Sequence, residues 1–156
     1  MTEFERLTYE AEKEGLTVVE VPFQCFDGLI KGKKIGIRSS IETSAQKADV
    51  LAEEIGHSRL NVGNILDQSD LNNRKQEYTA RMWAYDKRIG LDGIIKAYKC
   101  GCCSLRECAE CLDTSEEFLE EALEMYRRKY GCSVEYEGYE ICFEPRLFVH
   151  EIEQKG

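Results

Sequence analysis

Ala48, Leu51, Ala52 and Ile55 recur at helical spacing, and this stripe constrains the chain more than any other feature. It predicts a helix with one buried face, capped by Thr43 or Ser44 and running to about residue 60. A second helix is expected from about residue 72 to 88. There Glu77, Ala80 and Ala84 share one face, while Tyr78, Met82, Tyr85 and Ile89 share another. The two alanines leave room for a neighbouring helix to come close. A tightly packed helix pair is therefore the expected frame of the first half.

The flanking elements follow from local patterns. Residues 3–14 form helices readily and carry a weak apolar face of Phe4, Leu7, Tyr9 and Ala11, with Gly15 as the stop. Short β runs at residues 16–21, 29–31 and 34–37 imply a small antiparallel sheet, with a tight turn at Gly32-Lys33. Past residue 90 the pattern changes. A helix near 91–99 is followed by a capping box at Ser104 and Glu107, a short helix to Leu112, a turn at 113–115, and a third helix over 116–130 ended by Gly131. Residues 133–136 and 139–143 then make a hairpin around Glu137-Gly138. The expected fold is α+β and mainly helical. Residues 1–90 form a core with a small N-terminal sheet and the helix pair. Residues 91–156 form a winged-helix-like lobe of three helices and a hairpin, and the lack of a linker implies that it packs on the core.

Composition narrows the partners. The 156 residues include 30 acidic and 21 basic side chains, a net charge of -9, which argues against a phosphate backbone as the main partner. The expected third helix of the second half carries Glu116, Glu117, Glu120, Glu121 and Glu124, whereas a helix facing phosphates should be basic. A protein-binding or scaffolding role suits this half better than direct nucleic-acid contact. No apolar run is long enough to span a membrane, and the N-terminus lacks a signal-type apolar core, so a cytoplasmic, membrane-independent protein is expected. Eight cysteines in such a chain favour free thiols. Cys100/Cys103 and Cys108/Cys111 can be written as two Cys-x-x-Cys pairs, but their separation is short for a zinc ribbon. Cys108 is expected to be an apolar filler against the third helix. Metal at residues 100–111 would instead mark a DNA-binding regulator.

The candidate chemistry lies on the first of the paired helices. Glu53-Glu54-x-x-His57 differs by one residue from the metal-binding pattern His-Glu-x-x-His. Residues four apart share a helical face about 5–6 Å apart, so Glu53 and His57 can both point at one ion and Glu54 at its water. A catalytic zinc takes three protein ligands and keeps one open position. Glu77, on the alanine-lined face, is the expected third ligand, with Asp67 in the intervening loop as the reserve.

Several segments together resemble the ImmA/IrrE family of metallo-endopeptidases, especially its short phage- and mobile-element-encoded members. They are the helix Lys47-Ala-Asp-Val-Leu-Ala-Glu-Glu-Ile-Gly-His57, the loop Val62-Gly-Asn-Ile-Leu-Asp67, the run Asn73-Arg-Lys-Gln-Glu-x-x-Ala-Arg-x-Trp-Ala84 and the end near Ile141-Cys-Phe-Glu-Pro145. The resemblance implies Glu54 as general base, and His57 and Glu77 as metal ligands. Glu53 stands where the family has its first histidine. A Glu-His-Glu set can hold zinc, and its two carboxylates also suit manganese or iron. The resemblance further implies cleavage of a cognate helix-turn-helix repressor. A catalytically silent anti-repressor that binds the same partner is the alternative.

Overall fold

The computed structural model describes residues 1–60 and 70–153, with side chains from residue 74 onward in the second stretch. The loop containing Asp67 lies outside the described residues. The chain divides into two compact units, Met1–Arg88 and Ile89–Gly156.

The first unit opens with α1 (Glu3–Lys13). Thr2 accepts a hydrogen bond from the Glu5 amide, and the Glu5 carboxylate accepts one from the Thr2 amide, which satisfies two otherwise orphan donors. Leu7 and Ala11, four apart, are the buried positions, whereas Tyr9 is exposed and lies under the Lys13 ammonium. Strands β1 (Thr17–Val21), β2 (Gly28–Lys31) and β3 (Lys34–Arg38) make a sheet in the order β1-β3-β2. The β2–β3 hairpin is antiparallel as expected, with Lys31 opposite Lys34 and Gly32 at φ 61° in its turn. β1 joins the other edge of β3 in parallel, Thr17 opposite Lys34, so the sheet is mixed. Ile35, Gly36 and Ile37 explain why β3 takes the centre, since all three are buried. A Cβ on Gly36 would sit 2.8 Å from the Phe23 ring, so the missing side chain gives that ring its seat.

Helix α2 (Ser44–Leu60) packs on α1, on β2 and β3, and on α3 (Asp70–Arg88). Thr43 is its cap, with its hydroxyl accepting from the Gln46 amide at 3.1 Å. Ala48, Leu51, Ala52 and Ile55 are buried, as their spacing predicts. On α3, Ala80, Ala84, Met82 and Tyr85 are buried while Tyr78 is exposed.

The second unit holds α4 (Gly90–Lys99), α5 (Leu105–Leu112) and α6 (Glu116–Tyr130), then an antiparallel sheet of β4 (Ser133–Tyr136), β5 (Tyr139–Cys142) and β6 (Phe148–Glu151). Ser104 caps α5, its hydroxyl accepting from the Glu107 amide at 3.1 Å. The Glu107 carboxylate reaches one residue past the expected box and accepts from the Cys103 amide at 2.7 Å. Glu137 and Gly138 both have positive φ, the conformation of a two-residue hairpin turn. The third strand, β6, extends the expected hairpin. The fold is α+β, and among the described residues no helix is long and apolar enough to cross a membrane.

Candidate functional site

The site is built where α2 crosses α3. A Cβ on Gly56 would lie 2.6 Å from the Ala80 carbonyl oxygen, so only glycine permits this approach. The crossing sets His57, the next residue along α2, beside Glu77, one turn before Ala80 on α3. His57 Nε2 lies 3.2 Å from Glu77 Oε2. The other carboxylate oxygen, Glu77 Oε1, accepts from Arg81 Nε at 3.3 Å one turn further on. Both side chains keep access to solvent.

Glu54 lies deeper, against β2. A Cβ on Gly28 would come within 3.0 Å of Glu54 Cγ and 3.2 Å of its Oε1, so that glycine leaves space for the carboxyl. Burial, and then the negative charges of Glu53 and Glu77, push the Glu54 pKa from 4.5 up to about 7. A carboxyl poised near neutrality is suited to accept and return a proton.

Glu53 lies one residue before Glu54 on α2, and its negative charge acts on the Glu54 carboxyl. Among the described residues, only Glu140, Cys142 and His150 bring three potential ligand atoms within 4.8 Å of one another. His57 and Glu77 are close together, but Glu53, His57 and Glu77 as a set are not that compact. The chemistry of His57 and Glu77 fits half of a zinc-type coordination shell. Glu53, four residues before His57 on α2, would be the further donor.

A buried ion pair holds the helices that carry these groups. Arg88, at the end of α3, points its guanidinium into the unit with its side chain 1% exposed. Its Nε lies 3.1 Å from Asp49 Oδ1 on α2, and its Nη1 3.3 Å from Glu3 Oε2 on α1. Neither the motif nor the apolar spacing signals this network. The available clue was an Asp on the otherwise apolar flank of α2.

The cysteines are all free, and Cys108 is buried as an apolar filler would be. The thiols of Cys100 and Cys102 both engage Cys111, and that of Cys102 also engages Cys108. The metal-capable group in the second unit lies elsewhere, at Glu140, Cys142 and His150 on the β5–β6 pair. No local sequence pattern marks these residues, because their meeting depends on the long-range pairing of β5 with β6.

The α6 surface is acidic as expected, with Glu116, Glu117, Glu120, Glu121 and Glu124 all exposed. The basic residues at its end are engaged locally. Arg127 Nε lies 3.0 Å from Glu124 and its Nη1 2.8 Å from Glu144, while Arg128 Nε is 3.3 Å from Glu124.

Comparison of the chain with family models, with curated proteins and with solved structures finds no match.

Proposed function

We propose that the chain is a metal-dependent endopeptidase that cleaves a helix-turn-helix repressor of a phage or mobile element, acting in the cytoplasm. The observation that carries this reading is the half-buried Glu54, with its pKa near 7, flanked by the His57–Glu77 pair. The resemblance of these segments to ImmA/IrrE metallo-endopeptidases supports the same assignment. His57, Glu77 and Glu53 would hold the metal, with zinc the first choice and manganese or iron suited to the two carboxylates. A bound ion of this kind supplies Lewis acidity toward a scissile carbonyl and acidifies water. The Glu54 carboxylate takes the proton of the attacking water and returns it to the nitrogen of the leaving amine. Gly28 leaves that carboxyl its space, and Gly56 sets the helix spacing that brings His57 to Glu77.

One observation favours a second reading. Glu53, His57 and Glu77 do not form a compact three-donor group, so the chain could instead act as a silent anti-repressor that binds its partner without cutting it. Incubation of the purified chain with candidate helix-turn-helix repressors, with added zinc or with chelator, separates the two. Zinc-dependent fragments, identified by mass spectrometry, are the expected result. A stable complex that yields no fragments with zinc, manganese or iron supports the anti-repressor instead.

A further inference from the structure

The sheet of the second unit carries a donor group that owes nothing to the helix-pair site. Antiparallel pairing puts Glu140 opposite His150 and Cys142 opposite Phe148. Residues two apart on a strand share a face, so Glu140, Cys142 and His150 project from the same side. The intervening pair, Ile141 and Val149, is buried on the other side.

The three donors converge. His150 Nε2 is 2.7 Å from Glu140 Oε1, and Cys142 Sγ is 3.7 Å from the same oxygen. Each offers a ligand atom within 4.8 Å of the other two, and all three residues are half-buried. The imidazole is also oriented, because its Nδ1 lies 3.3 Å from the Glu151 carbonyl oxygen. An Nδ1–H donated to that carbonyl leaves Nε2 facing Glu140 and Cys142, the support commonly given to metal-ligating histidines. A plain ion pair would need only Glu140 and His150. The thiol beside them makes a mixed O, N and S set, which suits a borderline ion.

We propose that Glu140, Cys142 and His150 form a second metal site, selective for zinc-like divalent ions, with a fourth position open to water or to Glu135. Glu135 lies directly opposite Glu140 on β4. Tetrahedral zinc spaces its ligand atoms roughly 3.3–3.8 Å apart. The Glu140–Cys142 separation already fits, and the Glu140–His150 contact has to open by roughly 0.5 Å, within reach of side-chain rotation. An ion here would tie the edge strand β6 to β5.

Cobalt(II) titration of the reduced, chelator-stripped full chain tests this, because a cysteine ligand gives a thiolate-to-cobalt charge-transfer band. The band is expected in the wild type and should vanish in Cys142→Ser. His150→Gln should weaken cobalt binding by at least roughly tenfold. Cys100→Ser/Cys111→Ser should keep both the band and the affinity, because these thiols lie outside the proposed site. Far-UV circular dichroism checks that each variant is folded. Absence of the band in the wild type, or its survival in folded Cys142→Ser, overturns the proposal.

Discussion

Glu54 combines two properties that oppose each other. Its environment keeps the carboxyl ready to hold a proton near neutrality, and the same environment makes its ionised form costly. The folded-state pKa of about 7 lies above the unfolded value of 4.5, so between these pH values the folded chain holds a proton that the unfolded chain releases. Stability should therefore fall as pH rises through this window, and the full penalty is present above it. Gln keeps the shape and cannot ionise. In chelator, Glu54→Gln should match the wild type near pH 4.5 and exceed it at pH 8 by about 1–2 kcal/mol, a value discounted for the side chain's partial exposure. Urea denaturation at the two pH values measures this. Equal stabilities at pH 8 would show that Glu54 carries no such penalty. Arg88 presents the converse case, a buried charge that is paired. Arg88→Met should destabilise the chain by about 3–5 kcal/mol, because the buried Asp49 carboxylate loses its guanidinium. A urea midpoint unchanged in Arg88→Met would contradict that role.

At the scale of elements, the α2–α3 crossing governs the site. The apolar stripe of α2 and the paired alanines of α3 were legible because both obey the helical period and both face the core. The meeting of His57 with Glu77 was legible for the same reason, since each lies next to a small residue at the contact. The distances of Glu53 from His57 and Glu77 were not, because periodicity fixes the side of a helix and not the rotamer. The parallel pairing of β1 was hidden too. A hairpin signal reveals which strands are neighbours in sequence, whereas the place of β1 depends on β3 being buried on both faces. β6 and its His150 were missed because a four-residue strand carries little pattern of its own. Gly56→Ala tests the crossing. Its new methyl group meets the Ala80 backbone, which cannot rotate away, so the substitution should cost about 1–3 kcal/mol. It should also separate His57 from Glu77 and lower metal affinity. A variant with wild-type stability and affinity would show that the helices have slack at this point.

At the scale of the molecule, the chain divides into two compact units. The first carries Glu54, His57 and Glu77; the second presents an acidic α6 beside α4, α5 and a three-stranded sheet. With a net charge of -9 and with Arg127 and Arg128 engaged by neighbouring glutamates, the chain should show no measurable affinity for duplex DNA at physiological salt. Fluorescence anisotropy with a labelled duplex checks this, and a salt-sensitive complex would reverse the assignment of that half. In the first unit, the proposed role of Glu54 is to move the proton in a metal-dependent peptide cleavage. Its most direct test is the rate at which repressor fragments appear with zinc-loaded wild type and with zinc-loaded Glu54→Gln, with repressor binding measured in parallel. Wild type should yield fragments, and Glu54→Gln should bind undiminished while its cleavage is slowed by about 100-fold or more. Fragments released by Glu54→Gln at the wild-type rate would contradict it.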